Sequence, residues 1–349
     1  MQDVLKQETE KLARSWMRHE PEMLNEYLIA GVEDPRINLS SIFFRHFLLR
    51  ELSGEAFADL MEEECRFSAV INCLESMASR PGGEEDLRAL RHALSTGADN
   101  AEGTQIPPFL SQTWQRLAAP TPVLGPPNYV AQFLDQTTFA EGSPAFPAAV
   151  LNLFCERWRK AIDGHSREGF SPGLSVLEAA CGSANDYRFF VETGLARLIR
   201  YSGFDLCSRN ISNARALFPN VEFREGNIFE IDAPDRSFDL CVAQDLFEHL
   251  SIAGMEQAVH EICRVAARGL CLGFFQMDER PEHVVRPVDD YHWNLLSMAR
   301  MRELFAAEGF TSRVIHHTTF LRQRFGCEHT HNPNAYTFFS WRTAPPCSR

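Results

Sequence analysis

From Ser175 to Arg342 short apolar runs of β type alternate with amphipathic helical ones, and this rhythm constrains the fold of the 349-residue chain more than any other feature. SVLEAAC precedes the helical DYRFFVETG, and RYSGFDL precedes SRNISNARALF. VEFREGN and FDLCVAQDL follow, then helical AGMEQAVHEICRVA, strand-like GLCLGFFQ and helical SMARMRELFAAEG. Two more strand-like runs, TSRVIHHTTF and NAYTFFSWR, close the series with no helix read between them. Strand–helix alternation implies parallel crossovers and a sheet covered on both faces. A short connection cannot make a parallel crossover, so the last two strands are expected to pair as an antiparallel hairpin. The fold class is therefore α/β, a doubly wound, mostly parallel seven-stranded sheet.

The first third of the chain has a different texture. Residues 1–94 carry apolar side chains at helical spacing, as in LNEYLIAGV, SIFFRHFLLREL and AFADLMEEECRFSAVINCLESMA. Residues 95–128 hold the Pro- and Gly-rich stretches STGADNAEGTQIPP and APTPVLGPPN, punctuation typical of a linker. The expected organisation is an N-terminal all-helical domain with its linker over 1–128, acting as a substrate lid or dimerisation surface, and a second domain over 129–349. The aromatic stripe IFFRHFLLREL suits a core, or a homodimer contact through the N-terminal helices.

Bulk properties narrow the function classes. Hydrophobic residues make up 44% and charged residues 23%, as in ordinary globular proteins. A net charge of −13 argues against non-specific nucleic-acid binding, which needs clustered Lys and Arg. No apolar run approaches a bilayer-spanning length, so no membrane association is expected. The start, MQDVLKQETEKLARSWMRHE, is charged where a signal peptide needs an apolar centre, and a cytoplasmic chain is expected. The ten cysteines show no CxxC pair and read as buried free thiols in a reducing compartment.

In an open parallel sheet, ligands sit at the carboxyl ends of the strands, near the switch in strand order. The first strand carries Glu178, ends at Ala180-Cys181 and turns through Gly182-Ser183-Ala184-Asn185 into a helix beginning near Asp186. Small residues let backbone amides approach a ligand there. The glycines of a dinucleotide fingerprint are missing, because only Gly182 is present, and a carboxylate is out of place against a pyrophosphate. Glu178 suits a ligand that carries positive charge. Asp205, ending the second strand, is placed to accept the hydroxyls of a ribose. The third strand ends in Glu225-Gly226-Asn227-Ile228, where an amide and an apolar neighbour can flank an adenine. The fourth exposes Gln244, Asp245, Glu248 and His249 beyond its end.

With these fragments in this order, the sequence over roughly residues 145–342 resembles the class I S-adenosylmethionine-dependent methyltransferases. LEAACGSAND, YSGFDLCSRNISNAR, FREGNIFEI, FDLCVAQDLFEHL and the AAEGF before the final strands carry the likeness. The resemblance implies a Rossmann-like methyltransferase fold and S-adenosylmethionine as cofactor. It implies that Glu178, Ala180, Gly182 and Asp186 hold the methionine end. It places Asp205 on the ribose, Leu206, Asn227 and Ile228 about the adenine, and Gln244 after the fourth strand. Asp186 also reads as a helix N-cap. Ala184 stands where the family usually has glycine, and Asn227 where aspartate is common.

The chemistry then expected is in-line methyl transfer, O- or N-methylation, to a small-molecule acceptor. The acidic charge favours such an acceptor. So does the lack of an Asn/Asp-Pro-Pro-aromatic tetrad, for which this chain has Gln244-Asp245-Leu246-Phe247. A base is needed only where the acceptor must lose a proton, and His249, His283 and His292 are candidates. Glu248 and His249 serve equally well as an acid–base pair or as a helix cap. In HVVRPVDDYHWNLLS, Tyr291, His292 and Trp293 read either as the wall or base of a substrate loop, with Tyr291 a catalytic candidate, or as ordinary packing. Cys327, His329 and His331, with His316 and His317 upstream, lack the paired spacing of a zinc site, and no metal is expected. A catalytically silent methyltransferase-fold binding or regulatory protein is the alternative from another class.

Overall fold

The protein is described by a computed structural model that covers residues 2–16, 35–54, 57–78, 81–96, 138–140, 143–145, 148–164, 173–330 and 332–343. The run LNEYLIAGV and the Pro- and Gly-rich linker expected over 95–128 lie outside the described residues, apart from residues 95 and 96.

Seven strands form the central sheet. They are β1 (Leu174–Ala179), β2 (Ile199–Asp205), β3 (Glu222–Glu225), β4 (Phe238–Gln244), β5 (Ala266–Phe274), β6 (Phe310–His316) and β7 (Tyr336–Arg342). Their order is β6-β7-β5-β4-β1-β2-β3. β1 pairs in parallel with β2 and β4, β2 with β3, and β4 with β5. β7 runs antiparallel to both β5 and β6. The strand order reverses between β1 and β4, so the switch point lies at the loop after β1.

The last two strands pair antiparallel as expected, but not as a plain hairpin. A helix, His317–Phe325, fills the connection. Leu321 and Phe325, four residues apart, give it an apolar edge that packs into the core, and Gly326 ends it at φ 73°. Thr318 and Thr319 in HHTTF made this stretch read as strand, since β-branched residues favour that state.

Helices α1 (Gln2–Trp16), α2 (Leu39–Ser53), α3 (Ala58–Ala78) and α4 (Gly83–Thr96) come from the first third of the chain, and α5 (Ala148–Gly164) precedes the sheet. Within the sheet region are α6 (Asn185–Thr193), α7 (Ser208–Leu217), α8 (Ile252–Val265), α9 (Met298–Ala307) and α10 (His317–Phe325). Asn38 starts α2, its Oδ1 accepting the Ser40 and Ser41 N–H groups at 2.9 and 3.4 Å. Gly54, at φ 70°, ends it.

The aromatic stripe lies on α2, which is apolar and buried almost all round, as a helix must be when it is packed on several sides. Phe44, Phe47 and Leu48 meet Val176, Leu240, Val242 and Cys271 on one face of the sheet. Ile42 and Phe43 join Phe67, Val70 and Leu74 of α3 and Leu321 and Phe325 of α10. The stripe is thus spent within the core of one chain. The opposite face of the sheet buries Leu177, Ala179, Cys241, Ala243, Leu270 and Leu272 beneath α8 and α9, with Leu12 of α1 at its edge. Neighbouring residues of one strand, Val176 and Leu177, fall on opposite faces because the side-chain period of a strand is two.

Every cysteine among the described residues is a buried free thiol. Burial pushes the Cys155 thiol up to about 12, so it is held neutral and inert. Among the described residues no helix is long and apolar enough to cross a membrane.

Candidate functional site

The loop between β1 and α6 follows from its small residues. Cys181 N–H bonds to Phe204 O and Ala184 N–H to Cys181 O, each at 3.0 Å, folding the chain back over the end of β2. Ala180, Gly182 and Ala184 take φ values of 56°, 53° and 65°, so three of five residues are left-handed. A Cβ on Gly182 would meet nothing within 4 Å, which leaves open space above the loop.

Three carboxylates surround this space. Glu178 is 4% exposed and accepts the Tyr201 hydroxyl on Oε2 at 2.6 Å. Burial, then the neighbouring Asp186 and Asp205 charges, hold its carboxyl well above the usual range, against the pull of the Tyr201 hydrogen bond. Asp186, in the first turn of α6, is raised by burial, with Ser41 and Arg45 of α2 pulling the other way. Its Oδ1 is buried without a partner, as is Nδ2 of Asn185. No side chain caps α6, so the N-cap reading of Asp186 does not hold; the cap position is Ala184.

Asp205 is held by the loops around it. Its Oδ2 accepts Gly182 N–H at 2.9 Å, and its Oδ1 accepts Cys207 N–H at 2.8 Å and Asn210 Nδ2 at 3.2 Å. Burial raises its carboxyl despite these donors. A carboxylate offers about four lone-pair positions, so one remains for an incoming hydroxyl. Such a set of buried acids is costly unless positive charge enters it. A cation carried into the space above Gly182 would meet two raised carboxyls and an orphaned oxygen, which is the donor set a cationic nucleoside needs.

At the end of β3, Asn227 is occupied on both sides of its amide. Oδ1 accepts Phe229 N–H at 3.0 Å, and Nδ2 donates to Thr9 Oγ1 of α1 at 3.0 Å. Ile228 is buried, and Leu206 packs partly buried in the same cluster. Glu8 of α1 reaches the amino end of α8, where Oε1 and Oε2 accept Ser251 N–H and Oγ–H at 2.6 and 2.5 Å. Glu8, Thr9 and Ser41 were not found from sequence. Their partners lie far along the chain, and no local pattern marks them.

Beyond β4 the candidates separate. Gln244 lies over Gly273, and both atoms of its amide are buried without a partner. Glu248 is fully buried, and its Oε1 accepts the Phe275 and Gln276 N–H groups at 2.7 and 3.3 Å. It holds the exit of β5 with that oxygen, while its Oε2 is buried without a partner.

His249 Nδ1 stands 3.2 Å from the carbonyl of His292. A carbonyl only accepts, so Nδ1 carries the proton and Nε2 keeps its lone pair. The ring lies between Tyr291 and Trp293, with centroids at 5.8 and 5.3 Å. The His292 imidazole is lowered by burial, partly offset by Glu8, and its Nδ1 is buried without a partner. His283 is not placed as a base. Its Nδ1 accepts the Ser297 N–H at 3.0 Å, and burial lowers its pKa. Tyr291 is partly buried against α8's cluster and offers the His249 ring an edge.

A small open cleft of about 40 Å³ lies between α2, α3, Asp245, Phe274–Phe275 and the segment before β7. Of the His and Cys set, His331 lies outside the described residues. Cys327 donates to Ala69 O and His329 bonds Ser76, both away from the three carboxylates.

Residues 176–269 match the family model described as a methyltransferase domain. A probable S-adenosylmethionine-dependent methyltransferase of Mycolicibacterium smegmatis is 32% identical over 144 residues, which are 40% of this chain and 52% of that protein. The chain therefore spans about half the length of the curated relative it matches. Among solved structures, an S-adenosylmethionine-dependent methyltransferase of Mesorhizobium loti aligns with 49% of this chain and 92% of its own, at 14% identity and a TM-score of 0.39. The 1,6-didemethyltoxoflavin-N1-methyltransferase of Burkholderia thailandensis aligns with 54% and 77%, at 16% identity and 0.37. Likenesses at these scores carry no argument, and the strand order stands for the fold by itself. The matching segment runs from β1 into β5, the part of the sheet that bears the three carboxylates, and residues 176–269 are those of a methyltransferase domain.

Proposed function

We propose that the chain is an S-adenosylmethionine-dependent methyltransferase that acts on a small-molecule acceptor, by O- or N-methylation. The observation that carries the reading is the Glu178–Asp186 pair. Both carboxyls are raised by burial, and Glu178 further by the Asp186 charge, so a bound cation stabilises them, and the methionine end of this cofactor is one. S-adenosylmethionine, when bound, would supply a sulfonium methyl: the acceptor's lone pair bonds to that carbon in line as the C–S bond breaks, its electrons returning to sulfur to leave S-adenosylhomocysteine.

The chain's own residues bind, orient and exclude water. Glu178 and Asp186 receive the ammonium group, and the backbone at Ala180 and Gly182 lies against the methionine carbons. Asp205 accepts a ribose hydroxyl at its remaining position. Leu206, Asn227 and Ile228 flank the adenine, and the orphaned amide of Gln244 faces the cofactor. Catalysis of this kind is mainly proximity and alignment. Where the acceptor is a hydroxyl, Nε2 of His249 takes its proton, with neutral His292 behind it. The helices within residues 1–128 close the acceptor side, while residues 129–349 carry the cofactor.

The test uses protein loaded with methyl-labelled S-adenosylmethionine and offered a soluble small-molecule extract. Label passing to a small molecule is the expected result. Label that stays with the bound cofactor, in the presence of polar and apolar fractions alike, makes the chain a silent binding protein. Asp205→Ala is expected to weaken S-adenosylhomocysteine more than about tenfold, because a charge-assisted contact contributes ~1.5–3 kcal/mol. Unchanged affinity by calorimetry refutes the ribose assignment.

A further inference from the structure

We propose that the aromatic cluster at the exits of β4 and β5 seats the methyl acceptor, and that this acceptor is a planar phenol methylated on oxygen with His249 as base. This rests on the methyltransferase reading above and adds the acceptor's class to it. Four rings meet there. The His249 ring centroid stands 5.8 Å from that of Tyr291 and 5.3 Å from that of Trp293, and Trp293 stands 5.7 Å from Phe275. The three pairs meet at 65°, 48° and 72°, so none is stacked flat on its neighbour. All four rings are half-buried. One residue earlier, Phe274 is buried and stacked on Phe247, so the chain passes there from core to open aromatic surface. The polar tips of the cluster are unspent. Among the described residues, Trp293 Nε1, the Tyr291 hydroxyl and His249 Nε2 have no hydrogen-bond partner, and all three stay open to solvent. Tyr and Trp ordinarily pair these groups once they are covered. Beside them the second oxygen of wholly buried Glu248 is unpartnered, an acceptor that a donor on the ligand would satisfy.

Two buried residues hold these rings in place. Glu248 Oε1 fixes the Phe275 N–H at 2.7 Å. Asn294 donates its N–H to Glu248 O at 2.9 Å and its Nδ2 to Leu250 O at 2.7 Å, and its Oδ1 accepts the Arg286 N–H at 3.0 Å. Trp293 N–H bonds Arg286 O at 2.8 Å. The cluster adjoins the side assigned to the cofactor, because Gln244 pairs with Gly273 in the sheet and Phe275 follows two residues later. The His249 tautomer then directs the chemistry. Nδ1 carries its proton toward His292 O, so Nε2 takes the phenol's proton. The phenolate lone pair bonds to the sulfonium methyl as the C–S bond breaks, its electrons going to sulfur. The products are an aryl methyl ether and S-adenosylhomocysteine, and the imidazolium gives its proton to water. A phenol suits an imidazole base better than an aliphatic alcohol does. Its pKa, near 10, lies about three to four units above an imidazole's ordinary 6.5, whereas water's is about 15.7.

2-Naphthol and decahydro-2-naphthol share a hydroxyl and an outline and differ in aromaticity, and they serve as the probe pair. Each is titrated into protein already saturated with S-adenosylhomocysteine. 2-Naphthol is expected to bind at least about tenfold more tightly, since ring–ring contacts add to area burial. Trp293→Leu should abolish that preference while S-adenosylhomocysteine affinity stays within about twofold, and Trp293→Phe should keep it. With methyl-labelled S-adenosylmethionine, label should pass to 2-methoxynaphthalene. His249→Gln should slow that transfer at least about a hundredfold and leave 2-naphthol binding intact. Equal binding of the two probes, or binding of neither, overturns the aromatic assignment. Preference that survives in Trp293→Leu overturns the part given to this cluster. 2-Naphthol that binds without taking label, or undiminished transfer in His249→Gln, overturns the phenol chemistry. Failure of S-adenosylhomocysteine itself to bind appears in the first titration and strikes the underlying reading instead.

Discussion

The loop after β1 turns left-handed at Ala180, Gly182 and Ala184, and only the middle one is glycine. An L-residue loses about 1–2 kcal/mol in that conformation. Replacing it by glycine recovers this but frees the unfolded chain, at ~0.4–1 kcal/mol. Ala184 is wholly buried, and its methyl packs in the core beneath the loop, contributing ~0.8 kcal/mol. Ala180 is half-exposed. Ala180→Gly is therefore predicted to raise stability by roughly 0.5–1 kcal/mol, while Ala184→Gly leaves it within roughly 0.5 kcal/mol of the parent. Denaturant midpoints check both, and a clear loss at Ala180 contradicts the account. The departure at Ala184 was legible in the sequence as alanine in a glycine's place. That its methyl points into the core, and does not narrow the loop, was not.

At the level of elements, α1 is the part whose role the sequence hid. Its helical period was readable, but its docking depends on contacts between residues more than two hundred positions apart. Glu8 caps α8 through Ser251, and Gly254 leaves it room, since a Cβ there would stand 2.8 Å from Glu8 Oε1. A carboxylate at a helix amino end is favoured by the helix dipole as well as by the hydrogen bonds. Glu8→Ala is predicted to weaken docking by about 2 kcal/mol. Hydrogen exchange should then quicken about thirtyfold across residues 2–16, with β4 and β5 unchanged. Protection equal to the parent's in α1 argues against the clamp. The helix between β6 and β7 was missed for another reason. HHTTF is rich in β-branched residues, and only packing of Leu321 and Phe325 on α3 makes it helical.

Over the whole molecule, what was most legible was the sheet, because both periods of its pattern, the strand's two and the helix's 3.6, recur in order. The packing of the first third was less so. α2 and α3 share their cores with the sheet and α10, and a buried cluster ties them to α5. There Glu64 accepts Arg45, His46 and Trp158 at 3.2, 2.6 and 2.7 Å. Burial alone would raise its carboxyl, but these three outweigh it and hold it low. Arg45 also reaches Asp186 electrostatically, so the cofactor loop is braced from the N-terminal side.

The central claim is that Glu178 and Asp186 await a cation. Raised carboxyls sign the linkage. In the free protein they are neutral up to an elevated pKa, their stabilising share is lost as pH rises through it, and a cation that lowers the pKa expels protons. Calorimetry of ligand-freed protein with S-adenosylmethionine, in two buffers of unlike ionisation enthalpy, measures this. Saturable binding with proton release is predicted, tightening as pH rises. Glu178→Gln should bind at least about tenfold more weakly and release fewer protons. No binding by the parent protein, or equal affinity and equal proton release in Glu178→Gln, contradicts the claim.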